Sequence, residues 1–320
     1  MELLKYKSKL NNLIDKSSNV LIMGHKYLDL DAISSSIGVY EYVKSRNKKA
    51  TIIINDIKLE KGVKRALDKL QDLYNIKRSS HINKEINKDS LVIVVDTNKE
   101  YLLQDKDLFN SIDNVAVIDH HDPTEYSIKK GLVIIDRDAS STCEMLTDLL
   151  NEEKVKINPT IATLLLSGIV LDTNNYVVKT TKNTYRTSYI LTEWGASPQD
   201  VQSLLKQDIK KYIERQKVIT NVKVIQNIAL SCGKSSVKYR REDLAKIADT
   251  LLQFNKIEAS FVIGRLDNHN VGISARSLGN INVGKVLEKF NGGGDENEAG
   301  AMIENTTIKK VEEELKKLIK

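Results

Sequence analysis

Residues 90–121 read SLVIVVDTNKEYLLQDKDLFNSIDNVAVIDHH: two short β-branched runs, each ending in an aspartate, separated by a longer mixed segment. Runs that are apolar on consecutive positions are strands buried on both faces, and such strands belong to a parallel sheet covered by helices. The pattern continues outward. Runs of the same kind stand at 19–23, 50–55 and 131–135, while 31–48, 61–73 and 140–153 carry apolar residues at helical spacing. Asn158-Pro159 opens a further helix running to 170, because proline is tolerated in a first helical turn. Residues 1–16 space Leu3, Leu10, Leu13 and Ile14 as a packing helix, unlike the continuous apolar core of a signal peptide.

The expectation is an α/β fold. A mostly parallel sheet domain over 1–195 is followed by a helical linker over 196–225 and a smaller α/β domain over 226–320. In the last, strands are expected at 228–232, 259–265 and 271–277, with a helix at 241–254 and a final charged helix to 320 that glycines 292–294 interrupt.

The 320 residues carry 49 Lys plus Arg against 43 Asp plus Glu, a net charge of +6 without a dense basic block. That balance suits a phosphate-bearing ligand and does not argue for duplex DNA. The longest apolar candidate, 161–171, falls short of the ~20 residues a membrane span needs, so no membrane crossing is expected. Cys143 and Cys232 form no C-x-x-C, which indicates neither a disulfide framework nor a thiolate zinc site and favours a reducing, cytoplasmic setting.

Each presumed strand of the first domain ends in metal-ligating residue types. MGHKYLDLD supplies His25, Asp29 and Asp31; VIVVD supplies Asp96; VAVIDHH supplies Asp119, His120 and His121; and LLLSGIVLDTNNY adds Asp172. A lone aspartate after a strand is ordinarily a turn former or helix cap. Recurrence changes that reading, since three of the five histidines fall inside these motifs and ligands in open α/β sheets bind beyond the carboxyl ends of strands. Mixed imidazole and carboxylate donors suit Mn(II), Fe(II), Co(II) or Zn(II). Two such ions about 3.5–4 Å apart need a bridging carboxylate, for which Asp96 is the natural candidate.

In this order, G-H-K-x-x-D-x-D, V-V-D-T, I-D-H-H and G-I-V-x-D-T resemble the DHH phosphoesterase superfamily. ASSTCEMLTDLL, ASFVIGR, VGISARSLGNINVGKVLEKF and the triple glycine extend the likeness to bacterial cyclic-di-AMP phosphodiesterases with a DHH-associated C-terminal domain, over nearly the whole chain. The resemblance implies an active site in the cleft between the two domains. It implies that His25, Asp29 and Asp96 hold one Mn(II) ion and that Asp31, Asp96, His120 and Asp172 hold a second. His121 would sit beside the reacting phosphate, with orientation of His120 as its alternative role, and Asp119 would support the ligands from behind. Arg265, Ser274 and Arg276 would grasp substrate, and Gly292, Gly293 and Gly294 would let backbone N–H groups approach it. A salt bridge for Arg265 and a plain turn for the glycines remain the alternatives.

Two departures bear on substrate. The family usually has a histidine after the glycines, where this chain has Asp295, read here as the start of a capping box with Glu298 that opens a following helix. Asn98 and Lys99 replace the His-Arg pair that often follows V-V-D-T. The sequence reads as a free-standing, soluble version of the family. The expected activity is hydrolysis of cyclic-di-AMP to pApA, with continuation to AMP left open, by two-metal activation of a bridging water. The alternatives are a nanoRNase, pApA hydrolase or pAp phosphatase acting on linear nucleotides or very short RNA, and a non-catalytic cyclic-dinucleotide sensor. A homodimer is left open as well.

Overall fold

Strand β1 (Asn19–Met23) is buried at Val20 and Ile22 on one face and at Leu21 and Met23 on the other, as alternation along a fully covered strand requires. With β2 (Ala50–Ile53), β3 (Ile76–Lys77), β4 (Ser90–Val95), β5 (Asn114–Asp119) and β6 (Leu132–Ile135) it forms a six-stranded sheet in the order β3-β2-β1-β4-β5-β6. Every neighbouring pair is parallel. The computed structural model describes residues 2–70, 73–82, 85–206 and 208–319, and this sheet belongs to the first of two units, Met1–Lys206 and Gln207–Lys320.

The helices of the first unit are α1 (Glu2–Lys16), α2 (Leu30–Ser45), α3 (Lys61–Leu70), α4 (Lys106–Asn110), α5 (Thr142–Glu152), α6 (Pro159–Asp172), α7 (Lys182–Glu193) and α8 (Pro198–Leu205). One apolar core joins Val20, Ile22, Ile93 and Ile118 to α1, α2, α5 and α6; the other joins Leu21, Val92, Val94 and Val117 to Leu108 and Phe109 of α4. α6 is buried continuously from Ile161 to Val170, the position of a helix apolar on all sides. Gly38 of α2 lets it approach, since a Cβ there would meet Leu165 Cδ2 at 3.2 Å and Leu146 Cδ1 at 3.3 Å. Strand order reverses direction between β1 and β4, so the carboxyl ends of these strands flank the crevice where α/β sheets bind ligands.

The second unit holds α9 (Ile209–Ile219), β7 (Lys223–Ile225), β8 (Ile228–Cys232), α10 (Arg241–Leu251), β9 (Ala259–Arg265), β10 (Asn270–Ser277), α11 (Val283–Glu288), β11 (Gly293–Gly294), β12 (Glu298–Glu304) and α12 (Ile308–Leu318). Its sheet runs β11-β12-β10-β9-β8-β7, parallel only between β8 and β9. The chain is thus α/β in both units. The 196–225 stretch, expected as one linker, is divided: α8 packs on α6 and α3 in the first unit, α9 on α10 in the second. The glycines at 292–294 do not interrupt a helix but lie in the β11–β12 hairpin, and only α12 is helical at the end.

Candidate metal centre and nucleotide cavity

His25 follows β1 in a loop whose backbone is fixed on several sides. Gln104 Nε2 donates to His25 O at 2.7 Å, Lys26 N to Leu102 O at 2.6 Å, and Leu28 N to Asp56 Oδ2 at 3.0 Å. His25 Nδ1 lies 2.7 Å from the Lys26 carbonyl, which makes it the protonated nitrogen and leaves Nε2 as a donor pair for a cation. Nε2 stands 3.4 Å from Asp96 Oδ2 and 3.7 Å from Asp29 Oδ2. Asp29 also caps α2, accepting from Ala32 N at 2.9 Å.

Asp31 lies one residue into the buried start of α2, and its carboxylate meets the N-terminus of α5: Thr142 N donates to Oδ2 at 2.8 Å and Cys143 N to Oδ1 at 3.0 Å. Gly168 of α6 makes the room, because a Cβ there would stand 2.6 Å from Asp31 Oδ1 and 2.5 Å from Cys143 Sγ. Asp96 leaves β4 with φ of +60°, a conformation strained for any residue with a Cβ, and accepts from Thr142 Oγ1 at 3.2 Å. Thr142 therefore touches two carboxylates at once, one through its amide and one through its hydroxyl.

His120 Nε2 is 3.1 Å from Asp172 Oδ2 and 3.5 Å from Asp96 Oδ1, yet neither contact has hydrogen-bond alignment and the buried nitrogen has no hydrogen-bond partner. A buried imidazole nitrogen left unpaired among carboxylates is what a metal ligand requires. Beside it, Asp119 accepts from the amides of His120 and His121 at 2.9 and 3.2 Å, faces His121 Nδ1 at 2.8 Å, and accepts from Asn98 Nδ2 at 2.7 Å. Its lone pairs are spent on holding the His-His turn. Asn98 also donates to His121 O at 3.0 Å and accepts from Ser127, so it is buried scaffolding and not a substrate contact.

Three sets of donor atoms converge: His25, Asp29 and Asp96; Asp31, Asp96, His120 and Asp172; and Asp96, His120 and His121. Asp96 is common to all of them. Burial raises the Asp31 carboxyl well above its usual range, helped by the charges of Asp96 and Asp172, and burial pushes Asp172 up to about 6. Burial opposes the charged form of Asp96 too, but the close imidazoles of His120 and His25 hold it well below the usual carboxylate range. Burial likewise works against the imidazolium of His25, and Asp29 and Asp96 outweigh it, pushing the ring up to about 12. These side chains thus form a buried cluster that takes up protons readily, and a divalent cation would satisfy the same electrostatic demand. The donor set fits a metal centre.

In the second unit Ser274, Arg276, Gly292 and Gly293 line one cavity of about 630 Å³, together with Arg241 and Glu298. Gly294 lies outside that lining. Gly292 and Gly294 are required by the hairpin itself: a Cβ on the first would meet Gly300 O at 2.6 Å, and the second has φ of +146° with Glu298 O 2.2 Å from a built Cβ. A Cβ on Gly293 would meet open space. Arg276 Nε donates to Asp249 Oδ1 at 2.7 Å and its NH2 lies 3.6 Å from Glu298 Oε2. Arg265 stands apart from this lining: its three guanidinium nitrogens donate to the carbonyls of Asp267, Ser235 and Asn268 at 2.8–3.0 Å, so it fastens loops. Asp295 does not start a helix. Its Oδ1 accepts from Asn297 N at 2.8 Å and Glu298 N at 2.7 Å, an Asx turn that closes the β11–β12 hairpin.

Sequence reasoning did not single out Thr142, Cys143 or Gly168 as supports. The Ser141-x-x-Glu144 start of α5 is a readable capping signal, with Ser141 Oγ accepting from Glu144 N at 3.1 Å. Nothing in the sequence says that this helix start faces Asp31, more than a hundred residues earlier.

Comparison with known proteins matches the DHH family, N-terminal domain, over residues 19–169 and the DHHA1 domain over residues 221–320. The cyclic-di-AMP phosphodiesterase GdpP of Geobacillus thermodenitrificans is 36% identical over 97% of this chain and 48% of its own length, and that of Bacillus subtilis 35% identical over 97% and 49%. The chain spans about half the length of these curated relatives. The bifunctional oligoribonuclease and PAP phosphatase NrnA of Mycoplasma genitalium is 27% identical over 92% of this chain and 91% of its own. Among solved structures, an exopolyphosphatase-related protein from Bacteroides fragilis shares the fold, with a TM-score of 0.80 at 20% identity over 98% of this chain and 96% of that one. A DHH N-terminal domain in the first unit and a DHHA1 domain in the second make this chain a member of the DHH family.

Proposed function

We propose that the chain is a metal-dependent phosphodiesterase that hydrolyses cyclic-di-AMP to pApA, with Mn(II) as the preferred ion at two sites. The observation that carries this reading is the sharing of Asp96 between two donor sets, one with His25 and Asp29 and the other with Asp31, His120 and Asp172. The 36% and 35% identical relatives, both cyclic-di-AMP phosphodiesterases, suggest the substrate. When bound, two divalent cations supply Lewis-acid polarisation of a phosphoryl oxygen and acidify water for in-line attack.

The chain's own residues do the rest. Asp96, fixed by Thr142, keeps the two donor sets in register. His121 gives Nδ1 to Asp119 and keeps Nε2 on a ring that is 47% exposed. Burial lowers its proton affinity, but Asp119 and Asp96 outweigh that and raise it, a direction that suits His121 to the role of handing a proton to the leaving sugar oxygen. Arg276 with Ser274 and the open backbone of Gly293 forms the wall against which a nucleotide rests.

A second reading has its own support: the relative with oligoribonuclease and PAP phosphatase activity is matched over 91% of its length. On that reading the substrate is a short linear 5′-phosphorylated nucleotide. A chromatographic time course with Mn(II), starting in parallel from cyclic-di-AMP, pApA and a short oligoadenylate, separates them by the ratio of kcat/KM values. Rapid loss of the cyclic compound with pApA appearing first is the expected result. Consumption of the linear compounds alone would replace the first reading with the second.

A further inference from the structure

A groove of about 600 Å³ in the first unit is used by neither reading. It is lined by Arg137, Ala139, Tyr176, Lys179, Thr181 and Tyr185 among others. Both walls are continuations of the metal cluster. Ala139 stands three residues before Thr142, which holds Asp31 and Asp96, and Tyr176 stands four residues after Asp172, at most ~14 Å of extended chain away.

The chain after Asp172 turns sharply, with Asn174, Asn175 and Tyr176 all left-handed at φ of +46°, +58° and +64°. Tyr176 N donates to Thr173 Oγ1 at 3.0 Å, and the amides of Val177 and Val178 donate to Thr173 O at 2.8 and 3.0 Å, which holds this turn in place. The result is an aromatic pair. Tyr176 lies parallel to Tyr185 of α7, ring planes 12° apart and centroids 5.6 Å apart, and its hydroxyl donates to Ser188 Oγ at 3.0 Å. Tyr185 is 59% exposed. An anchored ring stacked on an exposed one, with Lys179 on the same groove and Arg137 beside it paired with Asp122, is the equipment by which single-stranded nucleic acid is bound: bases stack on rings and a cation follows the backbone.

We propose that the Tyr176–Tyr185 groove is a nucleobase subsite, which takes the base flanking the phosphodiester held at the metal cluster when the ligand is a linear oligonucleotide. The proposal rests on the cluster being the phosphodiester-binding centre. It concerns residues outside the cavity of the second unit and separates linear from cyclic ligands, because on an open chain the nucleoside next to the held phosphodiester is free to extend into this groove, whereas in the cyclic dinucleotide both nucleosides are tied into one ring.

The test is calorimetric binding, with Mn(II) present, of a pApApA carrying non-hydrolysable methylenephosphonate linkages, against the same ligand with one terminal adenosine made abasic. For the unaltered chain the abasic analogue is expected to bind about tenfold more weakly, the effect of one base stacked on an aromatic ring. Tyr185→Ala is expected to lose that tenfold for pApApA and nothing for the abasic analogue, while Tyr185→Phe behaves as the unaltered chain and Lys179→Ala weakens both ligands. Equal affinity of the unaltered chain and Tyr185→Ala for pApApA would overturn the subsite, as would an equal loss on the abasic analogue or no binding at all. Circular dichroism of Tyr185→Ala guards against misfolding, and Tyr185→Ser serves as a second truncation. A chain that binds in this pattern but hydrolyses none of the three substrates above would overturn the proposed activity and leave the subsite standing.

Discussion

In the first unit Asp31, Asp96 and Asp172 crowd around His25 and His120, whereas in the second unit the Arg276 guanidinium is already matched by Asp249 and Glu298. The first arrangement is out of balance in negative charge and has one buried nitrogen without a partner. Such a cluster is completed by a cation. The second arrangement is balanced before any ligand arrives, so a phosphate entering it competes with carboxylates, and a nucleobase meets a cavity of mixed polarity. Under the proposed function, this difference corresponds to phosphate chemistry in the first unit and recognition of nucleotide shape in the second.

The contrast breaks most readily at Asp96. Asp96→Asn is expected to lower kcat at least about 10²–10³-fold, the cost of removing one electrostatic group at a reacting centre, with an unchanged circular dichroism spectrum. Substantial turnover in the presence of Mn(II) would refute the division of labour. Thr142→Val keeps the side-chain shape but removes the hydroxyl that donates to Asp96. A loss of about 10–100-fold in cation affinity is expected by metal titration, as for other groups that orient ligands from behind. An unchanged affinity would mean that Asp96 is held by its backbone alone.

The second unit gives smaller effects. Arg276→Ala is expected to raise KM about tenfold with kcat little changed, whereas Glu298→Gln, which removes a competitor of the phosphate, is expected to lower KM by about 2–5-fold. A rise in KM on Glu298→Gln would show that the carboxylate itself contacts the ligand. Arg265→Ala, whose donors are spent on loop carbonyls, should leave KM unchanged within about twofold.

The smallest effect lies outside both sites. Burial pushes the Asp148 carboxyl up to about 6, with Asn183 and Arg186 pulling against it. Because the folded value exceeds the unfolded one near 3.8, this group favours the folded chain at low pH, and that contribution fades as pH rises from about 4 through 6. Thermal melts in EDTA between pH 4 and 7 should fall less steeply with pH in Asp148→Asn than in the unaltered chain, by a few degrees in Tm.

The same contrast explains what was legible in the sequence. β1, β4 and β5 are continuous β-branched runs buried on both faces, and residues at their ends are brought together by topology alone, so strand reading and site reading were one act. β12, GluAlaGlyAlaMetIleGlu in sequence, is half exposed and rich in helix formers, and the Asp295-x-x-Glu298 pattern ahead of it imitates a helix start. Its strand character comes from pairing with β10 and β11. β3, β7 and β11, of two or three residues, carry no periodicity to read. At the site, Thr142 and Cys143 hold Asp31 through backbone amides, which leave no residue-type signature, and neither the Thr142 hydroxyl nor the missing Cβ of Gly168 says in sequence which carboxylate it serves. Arg265 was singled out by its place in a motif, but guanidinium partners are set by loops that sequence does not position.

The proposed function requires Asp96 to serve two cations at once. Anomalous diffraction at the manganese edge from crystals soaked in Mn(II) tests it directly. Two peaks about 3.5–4 Å apart are expected, one toward His25 and Asp29 and one toward Asp31, His120 and Asp172, with Asp96 between them. A single peak, or two peaks of which one makes no contact with Asp96, would contradict it.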